Sequence, residues 1–91
     1  PRKAVRLDAA RVKRYEGAYQ QKELKVTVRA IGATGRLQLT FAGRSREILP
    51  ESETDFFEED SDRTYRFVLE NGKVTGVEIA MPEEIVFKKI D

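Results

Sequence analysis

The segment from Arg63 to Ala80 constrains the fold more than any other part of the chain. Its midpoint, Asn71-Gly72, is the dipeptide that best accepts the two positive φ angles of a type I′ turn, so we predict a β-hairpin there. Apolar and polar residues alternate on both sides of this turn, as they do in strands with one buried face. The first pairs across the turn match charge with charge and apolar with apolar: Glu70 with Lys73 and Leu69 with Val74.

Farther from the turn, the pairing stays consistent only if the second strand contains one extra residue. Strict pairing would place Phe67 opposite Gly76 and break the alternation, whereas a β-bulge at Thr75-Gly76 restores it. The bulged register predicts three further pairs: Phe67 with Val77, Arg66 with Glu78 and Tyr65 with Ile79. A hairpin of this kind belongs to an antiparallel sheet with one apolar face.

Further strands are predicted at regular intervals along the chain. A second hairpin joins Leu24–Ile31 to Arg36–Ala42 through a four-residue loop, which fixes the register. The predicted pairs are Ala30 with Leu37, Val28 with Leu39, Val26 with Phe41, Arg29 with Gln38 and Thr27 with Thr40. A first strand follows Gly17, and the remaining strands are expected at Ser45–Pro50, Thr54–Glu59 and, after a turn at Met81–Glu84, at Glu84–Ile90.

The predicted fold class is therefore all-β: an up-and-down antiparallel barrel of about eight strands with one short N-terminal helix. Asp8 is expected to cap that helix, Ala9–Arg14. Residues 1–7 are expected to form a linker or an edge strand, and residues 8–91 a single barrel domain. Bulky side chains are expected to fill the interior: Leu24, Val26, Val28, Leu37, Leu39, Phe41, Tyr65, Phe67, Leu69, Val77, Ile79 and Phe87.

The residue types in the chain exclude several kinds of catalytic and metal site. There is no histidine and no cysteine, which removes the commonest general base, thiolate ligands and any Ser-His-Asp arrangement. Acidic residues gather between positions 51 and 62, but Asp60-Ser-Asp62 lacks the remaining ligands of a calcium loop. We therefore expect no enzymatic activity, no metal site and no cofactor.

Charge is unevenly divided along the chain although the net charge is only +1. Residues 1–46 carry 12 Lys and Arg against 3 Asp and Glu, whereas residues 47–91 carry 5 against 13. In an antiparallel fold the two halves share one sheet, so we expect neutralisation across strands rather than a surface for nucleic acid. The open alternative is a polyanion-binding face formed by Arg2, Lys3, Arg6, Arg11, Lys13 and Arg14.

The chain has no apolar run longer than three residues, so no membrane span is predicted. It begins at Pro1 rather than at methionine, from which we expect a mature fragment or an excised domain.

Short motifs occur along the chain in a recognisable order: Leu7-Asp8, Tyr15-x-Gly-x-Tyr19, Gly35-x-Leu37-x-Leu39, Ile48-Leu-Pro-Glu-Ser-Glu-Thr-Asp-Phe-Phe57, Gly72-Lys-Val-Thr-Gly76 and Phe87-Lys-Lys-Ile90. In this order they resemble a bacterial lipocalin-like domain that is typically appended to the C-terminus of serine β-lactamase-like and penicillin-binding-protein-like hydrolases. The resemblance extends from about Leu7 to the end of the chain.

The resemblance implies a β-barrel module without catalytic residues of its own, in a periplasmic or secreted protein. The hydrolase chemistry would lie in a separate domain that carries Ser-x-x-Lys and Lys-Thr-Gly motifs. Neither motif occurs here, because the three serines are followed three positions later by Ile48, Asp55 and Thr64, and Val74 interrupts the segment Lys73-Val-Thr-Gly76.

Two functions are compatible with these observations. The first is a non-catalytic accessory barrel that packs against a covalently linked or associated hydrolase domain, or against another protomer through edge strands at residues 1–7 and 45–50. The second is a small-ligand-binding barrel that uses Tyr19, Arg29 and Tyr65 at its mouth. The second function requires an interior cavity of roughly 300 Å³ or more.

Overall fold

The computed structural model describes residues 2–80 and 83–91. Within them, eight antiparallel strands follow one another around a closed barrel, and the first strand pairs with the last at Tyr19–Lys89 and Gln20–Lys88. The strands are β1 (Gly17–Gln21), β2 (Leu24–Ala30), β3 (Leu37–Phe41), β4 (Arg44–Pro50), β5 (Asp55–Phe57), β6 (Thr64–Glu70), β7 (Lys73–Ala80) and β8 (Glu84–Lys89). The predicted fold class is confirmed. The predicted turn at Met81-Pro82 lies outside the described residues.

The registers predicted for both hairpins are confirmed. In the β2–β3 pair, Val28 lies opposite Leu39, and the other four predicted pairs are also observed. In the β6–β7 pair, Val68 lies opposite Gly76 and Leu69 opposite Val74, so Thr75 is the extra residue of the bulge. Asn71 and Gly72 have φ angles of 53° and 80°, the positive values that the turn requires.

The N-terminal helix is shorter than predicted. Asp8 caps α1 (Ala9–Val12) by accepting a hydrogen bond from the backbone N–H of Ala10 at 3.2 Å, as expected. The helix then tightens into a 3₁₀ turn over Lys13–Tyr15. Residues three apart eclipse one another in a 3₁₀ turn, so Val12 and Tyr15 lie on one face, and both are fully buried against the barrel.

Four aromatic rings fill the end of the barrel next to α1. Tyr15 stacks on Phe67 with ring centroids 4.2 Å apart, Phe56 meets both rings edge-on, and Tyr19 meets Phe67 edge-on at 5.9 Å. The remaining core residues are aliphatic side chains from the inner faces of the strands together with Phe87. One residue of the predicted core is misplaced, because Leu24 lies at the opposite rim and is 39% exposed.

The segment before α1 lies against the outside of the barrel. The backbone N–H of Val5 donates to the carbonyl of Pro50 at 2.8 Å, and Arg2 and Ala4 lie near Leu49 and Phe57. Leu49 and Phe57 pair with each other across β4 and β5 and are both buried, although they do not belong to the interior core. In this segment no strand is present among residues 2–7.

The predicted edge strand at residues 45–50 is wrong. β4 pairs with β3 along five residues and with β5 at Leu49 and Pro50, so it is an inner strand of the closed barrel. Its free edge disappears because the sheet curls until every strand has two neighbours, a global property that a single strand does not reveal. Among the described residues, no helix is long and apolar enough to cross a membrane.

Candidate functional site

A cavity of about 330 Å³ opens at the end of the barrel away from α1. Its lining comes from the beginnings of β2, β4, β6 and β8 and from the ends of β3 and β7, which all meet at that end of an up-and-down barrel. The cavity exists because the large aromatic rings are concentrated at the other end. The barrel is therefore filled at one end and hollow at the other.

The wall of the cavity is mainly apolar. It is formed by Leu39 and Phe41 from β3, Ile79 from β7 and Phe87 from β8. Leu24 and Ile85 form part of the rim and are 39% and 38% exposed. Apolar side chains left partly exposed around a concave surface are typical of small-molecule sites.

Two arginines point into the barrel at this end. Arg44 lies opposite Phe41 and Arg46 opposite Leu39 in the β3–β4 register, so the alternation of β4 directs both side chains inward. The Arg46 side chain is only 28% exposed. Its Nε is buried and has no hydrogen-bond partner among the described residues. A buried, unsatisfied donor is costly, so Arg46 is a strong candidate for contact with a ligand.

A polar network occupies one side of the cavity, beyond the end of the short β5, and it includes side chains from β4 and β6. The carboxylate of Glu58 accepts from Arg63 Nη1 at 3.1 Å and from Arg46 Nη1 at 3.4 Å, and the Tyr65 hydroxyl also donates to it. Glu58 is largely buried, with a side-chain exposure of 13%. Burial, reinforced by the hydrogen bond to Glu58 and its negative charge, holds the pKa of Tyr65 well above its usual range. Tyr65 is therefore a neutral hydrogen-bond donor.

The three sequence-predicted binding residues do not come together. Tyr65 lines the cavity. Tyr19 is fully buried in the aromatic end, and its hydroxyl donates to the carbonyl of Tyr15 at 2.7 Å. Arg29 is exposed on the outer face of β2, opposite Gln38. The structure thus places only Tyr65 at a concave surface of the barrel interior, and a binding role for the other two residues stays a prediction.

Sequence reasoning missed Arg44 and Arg46. A signal was present, because Ile48 is an apolar residue of β4 and therefore a candidate for its inner face. Counting back from Ile48 by twos places Arg46 and Arg44 on that same face. Arginine is so commonly exposed that its period-2 position did not suggest an inward direction.

Several carboxylates of the acidic segment form ion pairs with arginines. Glu51 pairs with Arg2 at 2.7 Å, Asp55 with Arg66 at 3.0 Å, and Glu53 pairs with Arg11. No group of three or more potential metal-ligating side chains is present in the part of the chain that the structure describes. Two of these pairs join the basic first half of the chain to the acidic second half, which is the neutralisation that the charge distribution suggested.

Comparison with known proteins places the chain in a family. Neither the curated proteins nor the solved structures contain a match to it. A family model does match, and it covers residues 1–91. The chain therefore belongs to the family described as "Domain of unknown function (DUF3471)".

Proposed function

We propose that this domain is a non-catalytic binding module that takes up a small, mainly apolar molecule at the open end of its barrel. The observation that carries the proposal is the cavity of about 330 Å³, with apolar walls and the polar groups of Arg46 and Tyr65 converging on one side. Ligand sites in proteins combine these features, and their volumes start at roughly 300 Å³.

The state of the tyrosines supports binding rather than turnover. The hydroxyl of Tyr15 donates to the carbonyl of Glu53, that of Tyr19 to the carbonyl of Tyr15, and that of Tyr65 to the carboxylate of Glu58. Without histidine or cysteine, tyrosines and carboxylates are the main groups left for acid–base or nucleophilic chemistry. Each tyrosine hydroxyl is already used to hold the structure together.

The proposal is tested by titrating the isotope-labelled protein with 1-octanol and following its backbone amide resonances. We expect saturable shifts for residues of the cavity wall, above all Leu39, Phe41, Ile79 and Phe87. A variant that fills the cavity, Ile79→Trp, should weaken binding, whereas Val86→Trp should not. Val86 lies on the outer face of β8 and is 46% exposed, so it provides a matched control.

Absence of saturable shifts in the wild-type protein with 1-octanol, and likewise with charged probes of the same chain length, would contradict the proposal. Equal weakening by the two tryptophan variants would contradict it as well. If Ile79→Trp fails to fold, Ile85→Trp takes its place, because Ile85 lies at the rim and is partly exposed.

An accessory role toward a serine-hydrolase (β-lactamase-like) domain or another protomer is the second candidate. It is supported by the resemblance noted above and by exposed apolar side chains on the outer face of β8 and just after it, Val86 and Ile90. Under this proposal the parent protein is periplasmic or secreted. Deleting the barrel from the full-length parent should alter turnover or assembly, and an unchanged parent would argue against it.

A further inference from the structure

We infer that the ligand of the cavity is a small amphipathic anion, with its carboxylate at Arg46 and Arg44 and its apolar part in the barrel. This inference rests on the proposed binding function and adds the chemistry of the ligand. The apolar part would lie against Leu39, Phe41 and Phe87.

Arg46 has hydrogen-bond donors that the described part of the protein leaves unused. Glu58 contacts Arg46 through Nη1 only, at 3.4 Å. The edge of the guanidinium that carries Nε and Nη2 makes no hydrogen bond among the described residues, and Nε is buried. This edge is one of the two from which arginine binds a carboxylate with two parallel hydrogen bonds. A ligand carboxylate there would satisfy the buried donor.

Arg44 adds a second guanidinium at the same end of the barrel. Arg44 lies two residues before Arg46 on the same inner face of β4, about 7 Å nearer to the rim. It takes part in no ion pair within residues 2–80 and 83–91. A carboxylate bound at Arg46 would therefore have a second guanidinium on its solvent side.

The side chains around the cavity carry more positive than negative charge. The positive side chains are those of Arg44, Arg46 and Arg63, and the negative ones are those of Glu58 and Glu83. The site thus has an excess of one positive charge, which a monoanion neutralises and a neutral or cationic ligand does not. Partial burial reduces the screening of this charge by solvent.

The size of the cavity limits the length of its ligand. A volume of about 330 Å³ is at the lower end of the range for ligand pockets. The aromatic rings of Tyr15, Tyr19, Phe56 and Phe67 stop the cavity from continuing through the barrel. The ligand is therefore a short acid, not a long-chain lipid.

The test compares probes that share one alkyl chain and differ in the charge of the head group: octanoate, 1-octanol and octylammonium. Dissociation constants are measured by amide chemical shifts at neutral pH and low salt. We expect octanoate to bind about tenfold or more tightly than octanol, the magnitude of one hydrogen bond to a charged group. Octylammonium should bind more weakly than octanol. Acetate, which lacks the chain, should bind too weakly to saturate.

Arg46→Met should weaken octanoate binding by about tenfold or more and leave octanol binding within about twofold. Arg29→Met is the matched control, since Arg29 is exposed on the outer face of the barrel, and it should change neither constant. If Arg46→Met proves to be unfolded, Arg44→Met carries the test, because the Arg44 side chain is exposed.

Each other outcome is informative. Equal affinities for octanoate and octanol would overturn the anion inference and leave the binding function standing. Equal effects of Arg46→Met and Arg29→Met on octanoate would also overturn it. Failure of all the probes to bind would overturn the inference and the proposed function together.

Discussion

The ring of Tyr15 lies stacked on that of Phe67, with centroids 4.2 Å apart and an interplanar angle of 19°. This contact joins the turn that follows α1 to the middle of β6. It shows that the N-terminal helix is an integral part of the core, because the aromatic end of the barrel is completed by a ring that no strand supplies. Removal of that ring should therefore affect the whole fold.

We expect Tyr15→Ala to lower the free energy of unfolding by about 3 kcal/mol or more, the usual cost of deleting a large buried aromatic side chain. Tyr15→Phe keeps the ring and removes only the two hydrogen bonds of the hydroxyl, the one that it donates to the carbonyl of Glu53 and the one that it accepts from Arg14 Nη2, so it should cost about 1–2 kcal/mol. Urea denaturation of both variants measures the difference. Similar losses in the two variants would show that the hydroxyl, not the stacked ring, is the important contact.

Gly76 is expected to tolerate no larger residue. A Cβ at this position would lie 2.6 Å from the backbone carbonyl oxygen of Phe87 on the neighbouring strand, and that backbone is not free to move. Gly76→Ala should therefore cost about 1–3 kcal/mol through overpacking. Gly43→Ala is the control, because a Cβ at that position would contact none of the described residues. Its φ of 78° is unfavourable for alanine, so this variant should lower the free energy of unfolding by about 1–2 kcal/mol through backbone strain alone. Partial separation of β7 from β8, seen as faster amide exchange, should accompany only the first variant.

Stability should fall on the alkaline side because two buried tyrosines resist ionisation. Burial is the main cause that raises the pKa of both Tyr19 and Tyr65 above the usual value of about 10. A raised pKa in the folded state stabilises the protein below the unfolded pKa. This contribution is lost as pH rises from about 10 toward the folded pKa, by about 1.4 kcal/mol per pH unit for each tyrosine.

In Tyr65→Phe, the free energy of unfolding should therefore fall less steeply between about pH 10 and pH 11. The slope should be smaller by about 1.4 kcal/mol per pH unit, the contribution of one tyrosine. Denaturant titrations at several pH values measure this slope. The wild-type slope would persist in the variant if Tyr65 ionised as readily in the folded protein as in the unfolded chain.

Glu58→Gln should change both the titration of Tyr65 and the affinity of the cavity. Loss of the negative charge removes the electrostatic effect of Glu58 on Tyr65 and weakens the hydrogen bond between them, so the pKa of Tyr65 should fall but stay above its usual value because burial remains. Ultraviolet difference titration measures the change.

The same variant should bind octanoate several-fold more tightly, because loss of the Glu58 carboxylate raises the excess positive charge around the cavity from one to two. Glu83→Gln is the control for the titration of Tyr65, since Glu83 lines the cavity but is exposed and is not among the causes of that shift. An unchanged affinity in Glu58→Gln would mean that the charge of Glu58 does not act on the bound ligand.

Local patterns sufficed for much of the fold. Alternation around Asn71-Gly72 and across the β2–β3 loop predicted both registers and the bulged residue Thr75, because side-chain direction in a strand has a period of two and the turn fixes the phase. The same alternation did not reveal that β4 has two neighbours, since closure depends on the curvature of all the strands together.

The cavity could not be predicted in the same way. The prediction that side chains fill the interior holds at the end occupied by Tyr15 and Phe56 and is wrong at the end lined by Leu24 and Ile85. Inward alternation alone does not show how volume is distributed along the barrel axis. Leu24 alternates correctly with Val26, yet it lies one step beyond the last layer of packed side chains and becomes part of the rim.

The aromatic end of the barrel limits the routes by which a ligand can enter and leave the cavity. Because Tyr15 and its neighbours block that end, a ligand must enter and leave the cavity through a single opening, the rim near Arg44 and Leu24. The barrel interior is therefore open to solvent at one end only. A group that covers the rim would therefore slow both the association and the dissociation of the ligand.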